Sequence, residues 1–372
     1  MKITAVKTYI VPPELSATSW APGAAWVLVK LETDTGISGW GQAHTFHERE
    51  QTIASAVHKL SPILDGIDPF YIRRFKSRAQ DSTVGAGNET AAAAAGIEIA
   101  LWDIVGKALN APVHRLLGGP CRDRVGVYAN CWSNVPRSPD ELANFAAEQV
   151  KQGFKAIKVY PFLYGNTVDD GAACLEAVRD AVGSDVSVFV DMWYRMNNDE
   201  LPEIIATLRS HGVSWFEDPA EATDVEALAA IRKQSNLPVI SGETLHLKKD
   251  FRRLLEHKAA DTLNPDIAIC GILGTIEIAA MADDFSVNVS VHNNNSMTIG
   301  LAAALQTGAM ISNATSVEYF PRFVKGSESF SSFPSQLDDD GCLLLSQEPG
   351  LGVAVDEQIV AAMEYKRVWD SV

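Results

Sequence analysis

The chain has 372 residues, of which 47% are hydrophobic, and its formal net charge is −16. This length predicts a large barrel domain or two domains with a sizeable core. The acidic surplus argues against a nucleic-acid partner, because nucleic-acid-binding proteins present basic surfaces. No apolar run approaches the roughly 18 residues that cross a membrane, and the start has a strand pattern, so we expect a cytoplasmic protein.

The first 120 or so residues have the pattern of an α+β unit. Two strands are predicted between residues 3 and 31, and a turn at 33–36 leads into a return strand. A long apolar helix follows over residues 89–109 and stops before an Asn-Ala-Pro sequence. We therefore predict an α+β capping domain over residues 1–122.

From residue 123 onward, short apolar strands alternate with helical segments, which is the pattern of a parallel α/β sheet. The strands are predicted at 126–130, 156–160, 187–191, 214–217, 239–242, 262–266, 287–292 and 317–320. Eight such units favour a (β/α)8-type barrel over residues 123–322, although a doubly wound sheet has the same pattern. We expect the segment 323–372 to return to the capping domain and complete it, because a closed barrel offers no free edge.

Three of the predicted barrel strands end in a carboxylate, at Asp191, Glu217 and Glu243, and the intervals are 26 residues each. A strand, a crossover helix and two turns take about that length. In a barrel these ends share one rim, so the three carboxylates should converge. Hard oxygen ligands with open positions suit Mg²⁺, and we predict a magnesium site there.

The next three predicted strands also end in an ionisable residue, at Asp266, His292 and Glu318, and the intervals are 23, 26 and 26 residues. Asp266 and His292 close adjacent strands, so the carboxylate can orient the imidazole and raise its basicity. The Gly-x-Ser-x-Gly motif of serine hydrolases is absent from the sequence. His292 is therefore predicted to carry a proton and not to activate a nucleophile.

Lys158 and Tyr160 lie on the second predicted barrel strand, on the opposite side of the barrel from His292. Because side chains alternate along a strand, these two point to the same face. A lysine that points into a barrel has its pKa lowered by burial or neutralises a nearby anion. Its charge is expected to lower the pKa of Tyr160, which could then act as a base or an acid. The alternative is that Lys158 only pairs with the acidic residues while Tyr160 packs.

These residues resemble the enolase superfamily, in its mandelate racemase-like subgroup of acid-sugar enzymes. The matching stretches are 100–103 (ALWD), 117–119 (LGG), 153–154 (GF), 190–191 (VD), 215–219 (WFEDP), 242–244 (GET), 264–266 (NPD), His292 and 318–319 (EY). The resemblance implies that the three carboxylates bind Mg²⁺, which chelates the carboxylate of the substrate. It also implies that Lys158 and a protonated Glu318 donate hydrogen bonds to the enediolate that forms when the α-proton is removed.

Two departures from the subgroup pattern bear on the reaction. Tyr160 stands where a second lysine is usual, which weakens the hypothesis of racemisation by a lysine and histidine pair. Trp193 stands two residues after the first ligand, where an asparagine is usual. It removes a polar contact from the pocket rim and argues against variants with a catalytic histidine at that position.

Proton-carrying groups on both sides of the barrel mouth predict dehydration of a sugar acid to a 2-keto-3-deoxy acid, because one group can remove the α-proton while the other protonates the departing β-hydroxyl. We predict His292 as the acid and Tyr160, assisted by Lys158, as the base, and the opposite assignment is open. A racemase, an epimerase or a lactone cycloisomerase could use the same intermediate. A Schiff-base aldolase acting through Lys158 and a non-catalytic barrel are more remote alternatives.

Substrate specificity is expected to come from the capping domain and from the loops over the barrel mouth. The candidate substrate-binding residues are Trp20, His44, His47, Trp193, His246 and Asn294. The resemblance also implies a symmetric homo-oligomer, from a dimer to an octamer.

Overall fold

A computed structural model of the chain describes residues 1–12, 21, 23–45, 48–83, 85–194, 199–333 and 336–364. The chain begins with an antiparallel sheet whose strands lie in the order β1 (Ile3–Val11), β2 (Trp26–Thr33) and β3 (Ser38–Ala43). Gly36, with φ of 81°, occupies the tight turn between β2 and β3. The predicted hairpin is confirmed.

Helical segments follow this sheet in the chain, and two of them, the first and the longest, pack against it. The segments are α1 (Glu50–Leu60), a 3₁₀ turn (Ser61–Ile63), α2 (Ile72–Thr83), α3 (Asn88–Ala108) and α4 (Val113–Leu116). The long helix α3 matches the predicted one, with Glu89 in its first turn and Lys107 in its last, as the helix dipole favours. It lies so close to β3 that a Cβ atom on Gly41 would collide with the carbonyl oxygen of Gly96.

Eight parallel strands then form a closed barrel. They are β4 (Arg124–Asn130), β5 (Ala156–Val159), β6 (Ser187–Asp191), β7 (Val213–Glu217), β8 (Val239–Ser241), β9 (Thr262–Leu263), β10 (Asn288–Val291) and β11 (Ala314–Tyr319). Neighbours in sequence are neighbours in the sheet, and β11 pairs with β4, which closes the ring. The barrel prediction is confirmed, and the doubly wound sheet is wrong.

Helices connect the successive strands. They are α5 (Pro139–Lys151), α6 (Val168–Val182), α7 (Leu201–Ser210), α8 (Val225–Ser235), α9 (Lys248–Glu256), α10 (Ile267–Asp284) and α11 (Thr298–Met310). The starts of α5 and α6 carry capping boxes, at Ser138 with Glu141 and at Thr167 with Asp170. Each box satisfies backbone N–H groups that a helix start leaves without partners.

Strand β9 is shorter than the predicted segment 262–266. Pro265 has no N–H group to donate to a neighbouring strand, so regular pairing stops after Leu263. The chain nevertheless keeps its direction, because Asp266 and His292 form an isolated parallel bridge. The bridge aligns these two side chains at the same level of the barrel.

Inside the barrel the side chains form layers. Tyr128, Phe189 and Trp215 make one aromatic layer, in which the last two rings stack with centroids 4.1 Å apart. The side chains two residues further along each strand point in the same direction. The layer above the aromatic one therefore includes Asp191 and Glu217, and it lies at the carboxyl ends of the strands, where barrel enzymes have their active sites.

The C-terminal segment contacts both parts of the chain. It contains α12 (Pro321–Gly326), β12 (Ser331–Ser332), β13 (Cys342–Leu344), β14 (Ala354–Val355) and α13 (Glu357–Met363). Strand β13 pairs antiparallel with Arg124–Gly126 at the start of β4, so the expectation that the barrel offers no edge was wrong. Glu357 of α13 accepts hydrogen bonds from Lys30 (2.6 Å) and Tyr9 (2.7 Å) in the N-terminal sheet. The boundaries at 122 and 322 stay predictions.

Among the helices of the described residues, none combines the length and the apolar character needed to cross a membrane.

Candidate active site

Lys158 lies at the centre of a buried ionic network at the carboxyl ends of the barrel strands. Its ammonium nitrogen is 2.8 Å from Glu217 Oε2, 3.1 Å from Asp191 Oδ2 and 2.7 Å from Glu318 Oε1, and its side chain is fully buried. Burial lowers the pKa of Lys158, but the carboxylates of Glu217 and Glu318 outweigh it and raise the pKa well above its usual value. Lys158 is therefore a fixed cation that holds three acids together.

Asp191 and Glu217 are the last residues of β6 and β7, Glu243 follows β8 by two residues, and each of these predicted metal ligands is held by a further residue. Asp191 Oδ1 accepts a hydrogen bond from the backbone N–H of Trp193 at 2.9 Å. Glu217 Oε1 accepts one from Asn264 Nδ2 at 2.7 Å, and Glu243 Oε1 accepts one from the Tyr194 hydroxyl at 2.6 Å. Such contacts fix the direction in which each carboxylate points.

The acids outnumber the cations around them. Burial, together with neighbouring carboxylates, raises the pKa of Asp191 to about 6 and that of Glu217 well above its usual value. The carboxyl of Asp218 is fully buried, and burial and Glu243 raise its pKa well above the usual value although Ser241 lowers it in part. A buried array of hard oxygen donors with excess negative charge is the chemical environment that a divalent cation needs.

One group of potential ligand atoms differs from the predicted set. The ligand atoms of Glu217, Glu243 and His292 all lie within 4.8 Å of one another, and Asp191 is outside that group. Asp191 lies instead against Lys158, which also contacts Glu217. The structure therefore brings two of the three predicted ligands together with the predicted proton carrier.

His292 is oriented by Asp266, as the sequence predicts. Asp266 Oδ2 accepts a hydrogen bond from His292 Nδ1 at 2.7 Å, while His292 Nε2 is 2.8 Å from Glu243 Oε2 and 3.1 Å from Glu318 Oε2. Burial lowers the pKa of His292, but Glu318, Glu243 and the Asp266 hydrogen bond raise it well above its usual value. Nδ1 is thus committed to Asp266, and Nε2 faces the acidic cluster.

Asp266 is itself held by several donors. Its Oδ1 accepts from the N–H of Ala268 at the start of α10, and its Oδ2 accepts from the N–H of Asn294 at 3.0 Å. His44 Nδ1 lies 3.2 Å from the same Oδ2, and His44 Nε2 is 3.2 Å from Asn294 Nδ2. Two predicted substrate-binding residues, His44 and Asn294, therefore lie behind the Asp266 carboxylate.

Tyr160 differs from the prediction in its acidity. Its pKa is raised well above the usual value by burial, and the charges of Asp191, Glu318 and Glu217 add to the shift; Lys158 opposes it without offsetting it. The charge of Lys158 lowers this pKa as expected, but the net pKa is raised, because the phenol is buried and surrounded by more negative than positive charge. The hydroxyl oxygen accepts a hydrogen bond from Asn130 Nδ2 at 2.8 Å.

Glu318 is held by two cations and an amide. Burial raises its pKa, but Lys158, His292 and a hydrogen bond from Asn130 together lower it below its usual value. Glu318 Oε1 accepts hydrogen bonds and ion-pair contacts from Asn130 (2.7 Å) and Lys158 (2.7 Å). These contacts favour the ionised carboxyl, and the role of a protonated Glu318 that donates a hydrogen bond stays a prediction.

The remaining predicted substrate-binding residues are only partly described. Trp20 and His47 lie outside the described residues. Trp193 is half-buried beside Asp191, in a left-handed backbone conformation with φ of 42°. His246 lines a cavity of about 170 Å³ between α2, α3 and α10, together with Phe75, Glu98 and Cys270.

The sequence analysis missed several uncharged residues that donate hydrogen bonds to the ionisable residues of this site. Asn130, Tyr194 and Asn264 hold the ionisable residues in place. Asn130 is the last residue of β4, the first strand of the barrel. The search for ionisable residues at strand ends passed over this strand, because asparagine does not ionise. A search for any polar residue at strand ends would have found it.

Comparison with known proteins adds to this geometry. A family model described as mandelate racemase / muconate lactonizing enzyme, N-terminal domain, matches residues 1–118, and an enolase C-terminal domain-like model matches residues 141–359. The chain belongs to this family. It is therefore a member of the enolase superfamily of enzymes, and the resemblance inferred from the motifs is confirmed.

Curated relatives include two sugar-acid dehydratases. The chain is 32% identical to a D-galactonate dehydratase of Ralstonia pickettii over 97% of this chain and 94% of that protein. It is 30% identical to a D-gluconate dehydratase of Thermoproteus tenax over 90% of this chain and 69% of that protein. Among solved structures, the 3,6-anhydro-D-galactonate cycloisomerase of Zobellia galactanivorans aligns with a TM-score of 0.88 and 25% identity, over 98% of this chain and 100% of that one.

Proposed function

We propose that this protein removes the proton next to the carboxylate of a sugar acid and eliminates water, which gives a 2-keto-3-deoxy acid. The observation that carries the proposal is the pairing, at one barrel mouth, of a Lys158-centred carboxylate array with a His292–Asp266 pair on the other side. The first group can stabilise negative charge and the second can move a proton. The names of the dehydratase relatives agree with this reaction.

We propose Mg²⁺ as the cofactor, with Asp191, Glu217 and Glu243 as its ligands. All three are carboxylates at or just beyond the carboxyl ends of neighbouring strands, and oxygen is the ligand that Mg²⁺ prefers, which favours Asp191 over His292 as the third member. When bound, the cation would stabilise the negative charge that develops on the substrate carboxylate. The excess of buried acids described above supports this fit.

His292 is the group that we propose to take the α-proton, through Nε2, in the Mg²⁺-bound protein, where the cation would offset the charge of Glu243 that helps to raise the pKa of His292. The bond from Nδ1 to Asp266 fixes the tautomer, so only Nε2 is left for exchange with a substrate. Lys158 contacts three carboxylates, and the pKa of Tyr160 is raised, so neither suits the role of base. The reverse of the assignment favoured by the sequence is therefore the better one.

A second candidate function is cycloisomerisation or epimerisation through the same intermediate, which the cycloisomerase relative supports. It needs proton removal but no elimination of water. A Schiff-base aldolase is less consistent with the structure, because the nitrogen of Lys158 lies within 3.1 Å of three carboxylates and its pKa is raised, so a neutral amine is disfavoured. A non-catalytic barrel would not require the complete set of acids.

Incubation with a set of sugar acids and Mg²⁺ in deuterated water separates these reactions. We expect a keto-acid product from at least one sugar acid, and we expect a chelator to stop its formation. Deuterium that enters the α-position without keto-acid product would favour epimerisation. Borohydride trapping of substrate on Lys158, or activity that survives chelation, would contradict the metal-dependent mechanism.

The ligand assignment has its own test. Asp191→Asn should abolish metal-dependent turnover while circular dichroism shows an intact fold, because it removes a negative ligand without changing side-chain volume. Unchanged turnover would contradict the assignment of Asp191. A cytoplasmic location and a homo-oligomeric assembly also stay proposals, and light scattering of the purified protein would measure the second.

A further inference from the structure

Asn130 lies between the two strands that carry the Lys158 side of the site. It is the last residue of β4, it is 3% exposed, and its backbone is in register with Lys158 of β5. On its other side β4 pairs with β11, where Tyr128 is in register with Glu318. This position allows the Asn130 side chain to reach residues from both neighbouring strands.

The orientation of the Asn130 amide is fixed by its backbone partner. The N–H of Trp132 donates to Asn130 Oδ1 at 2.7 Å, and a backbone N–H can only donate. The other amide atom is therefore the nitrogen, and its two hydrogens go to the Tyr160 hydroxyl oxygen at 2.8 Å and to Glu318 Oε1 at 2.7 Å. Both hydrogens of the amide are used.

This arrangement sets the direction of the hydroxyl proton of Tyr160. The oxygen receives a hydrogen bond from Asn130, which has no acceptor atom on that side, so the O–H must point elsewhere. Glu318 Oε1 already accepts from Asn130 and from Lys158. Tyr160 is half-buried and directly follows the carboxyl end of β5, and a substrate would lie at that end of the barrel.

We infer that Asn130 is a positioning residue that holds Tyr160 as the proton donor to the hydroxyl group that leaves the substrate. The inference rests on the proposed dehydration. His292 Nε2 takes the α-proton and the C–H electrons are held in the enediolate; they then form the Cα–Cβ double bond as the Cβ–O bond breaks with its electrons on oxygen. That oxygen takes the Tyr160 proton and leaves as water, and the enol product gains a proton at Cβ and loses the proton of its Cα hydroxyl group, which gives the keto acid.

Asn130 contributes most when the proton has left Tyr160. A hydrogen bond to an ionised acceptor is roughly twice as strong as one to a neutral acceptor, so the bond from Asn130 Nδ2 strengthens as charge develops on the phenol oxygen. Lys158, whose nitrogen is 5.7 Å from the centre of the Tyr160 ring, acts in the same direction. An interaction that strengthens during the reaction raises kcat and not only binding.

The test compares three variants of the full-length, Mg²⁺-loaded protein with a sugar acid that the wild type dehydrates. We expect Tyr160→Phe to lower the dehydration rate by about 10²- to 10⁴-fold while deuterium still enters the α-position from solvent. Asn130→Asp should lower kcat by roughly 10- to 150-fold, with a smaller change in KM and with Mg²⁺ affinity near that of the wild type.

Asn313→Asp is the matched control. Nδ2 of Asn313 also donates two hydrogen bonds, to the carbonyl oxygens of Ala279 and Val287, but this half-buried residue precedes β11 at the opposite end of the barrel. It should lower the melting temperature without changing kcat. Wild-type dehydration by Tyr160→Phe would overturn the inference, and so would a loss in Asn130→Asp that follows a loss of Mg²⁺ affinity. Failure of the proposed function appears instead in the wild type, as the absence of any keto acid.

Discussion

On one side of the barrel mouth Lys158 contacts three buried carboxylates, whereas on the other side His292 is fixed through Nδ1 and presents Nε2 to the site. Both side chains are buried at the same end of the barrel, but only the second has a nitrogen left for proton exchange. The difference indicates a division of tasks. The Lys158 side holds charge in place and places the proton of Tyr160, while the His292 side removes a proton.

The largest effect is expected from the side that moves the proton. His292→Asn should lower kcat by about 10⁴-fold, because no other group on that side can accept a proton through the same position. Steady-state kinetics measures the loss, with His257→Gln as a control, since His257 is partly exposed at the end of α9. A loss below tenfold would show that another residue is the base.

The Lys158→Met variant tests the Lys158 side of the barrel mouth through the free energy of unfolding. It leaves three buried carboxylates without their cation, so the metal-free protein should lose about 3–5 kcal/mol of unfolding free energy. Urea unfolding in the presence of a chelator measures this loss. Arg73→Met is the control, because Arg73 is an exposed partner of Glu277 and should contribute no more than about 1 kcal/mol. Equal stability of the two variants would contradict the role of Lys158.

Tyr194→Phe tests the metal site between the two sides. It removes the 2.6 Å hydrogen bond that orients Glu243, so Mg²⁺ affinity should fall by roughly 10- to 100-fold. Titration calorimetry of the metal-free protein measures it, and Tyr71→Phe, at an exposed position, should bind as the wild type does. An unchanged affinity in Tyr194→Phe would mean that Glu243 needs no such support.

The smallest effect on kcat is expected from a change at His44, which contacts Asp266. His44→Leu removes one neighbour of Asp266 Oδ2, but His292 and the N–H of Asn294 still donate to that oxygen. The value of kcat should therefore fall by only about 2- to 13-fold, as for loss of one hydrogen bond. A loss as large as that of His292→Asn would instead place His44 in direct contact with the reaction.

The same contrast explains how much the sequence could predict. Strands that end in an ionisable residue repeat at nearly constant spacing, so the barrel and the pairing of Asp266 with His292 followed from sequence position. The state of Tyr160 did not, because it depends on how many charges surround the phenol in space. Asn130 and Tyr194 were missed for a related reason, since an uncharged side chain at a strand end has no distinctive spacing.

The spacing of residues along the sequence could not predict the path of the C-terminal segment either. A closed ring suggested that no strand could be added, but β4 begins at Arg124, before its register with β11, and this early part is where β13 pairs. Strand lengths vary around a barrel, so an edge can remain at one end of a closed sheet. Only the register of the strands shows where it lies.

The central claim is that His292 takes the α-proton, and hydrogen exchange at that carbon tests it most directly. The Mg²⁺-loaded His292→Asn variant and the wild type would be incubated with the same sugar acid in deuterated water, and NMR would follow the α-position. The account predicts that the wild type exchanges or dehydrates its substrate and that the variant leaves the α-proton in place. Exchange by the variant at the wild-type rate would contradict it.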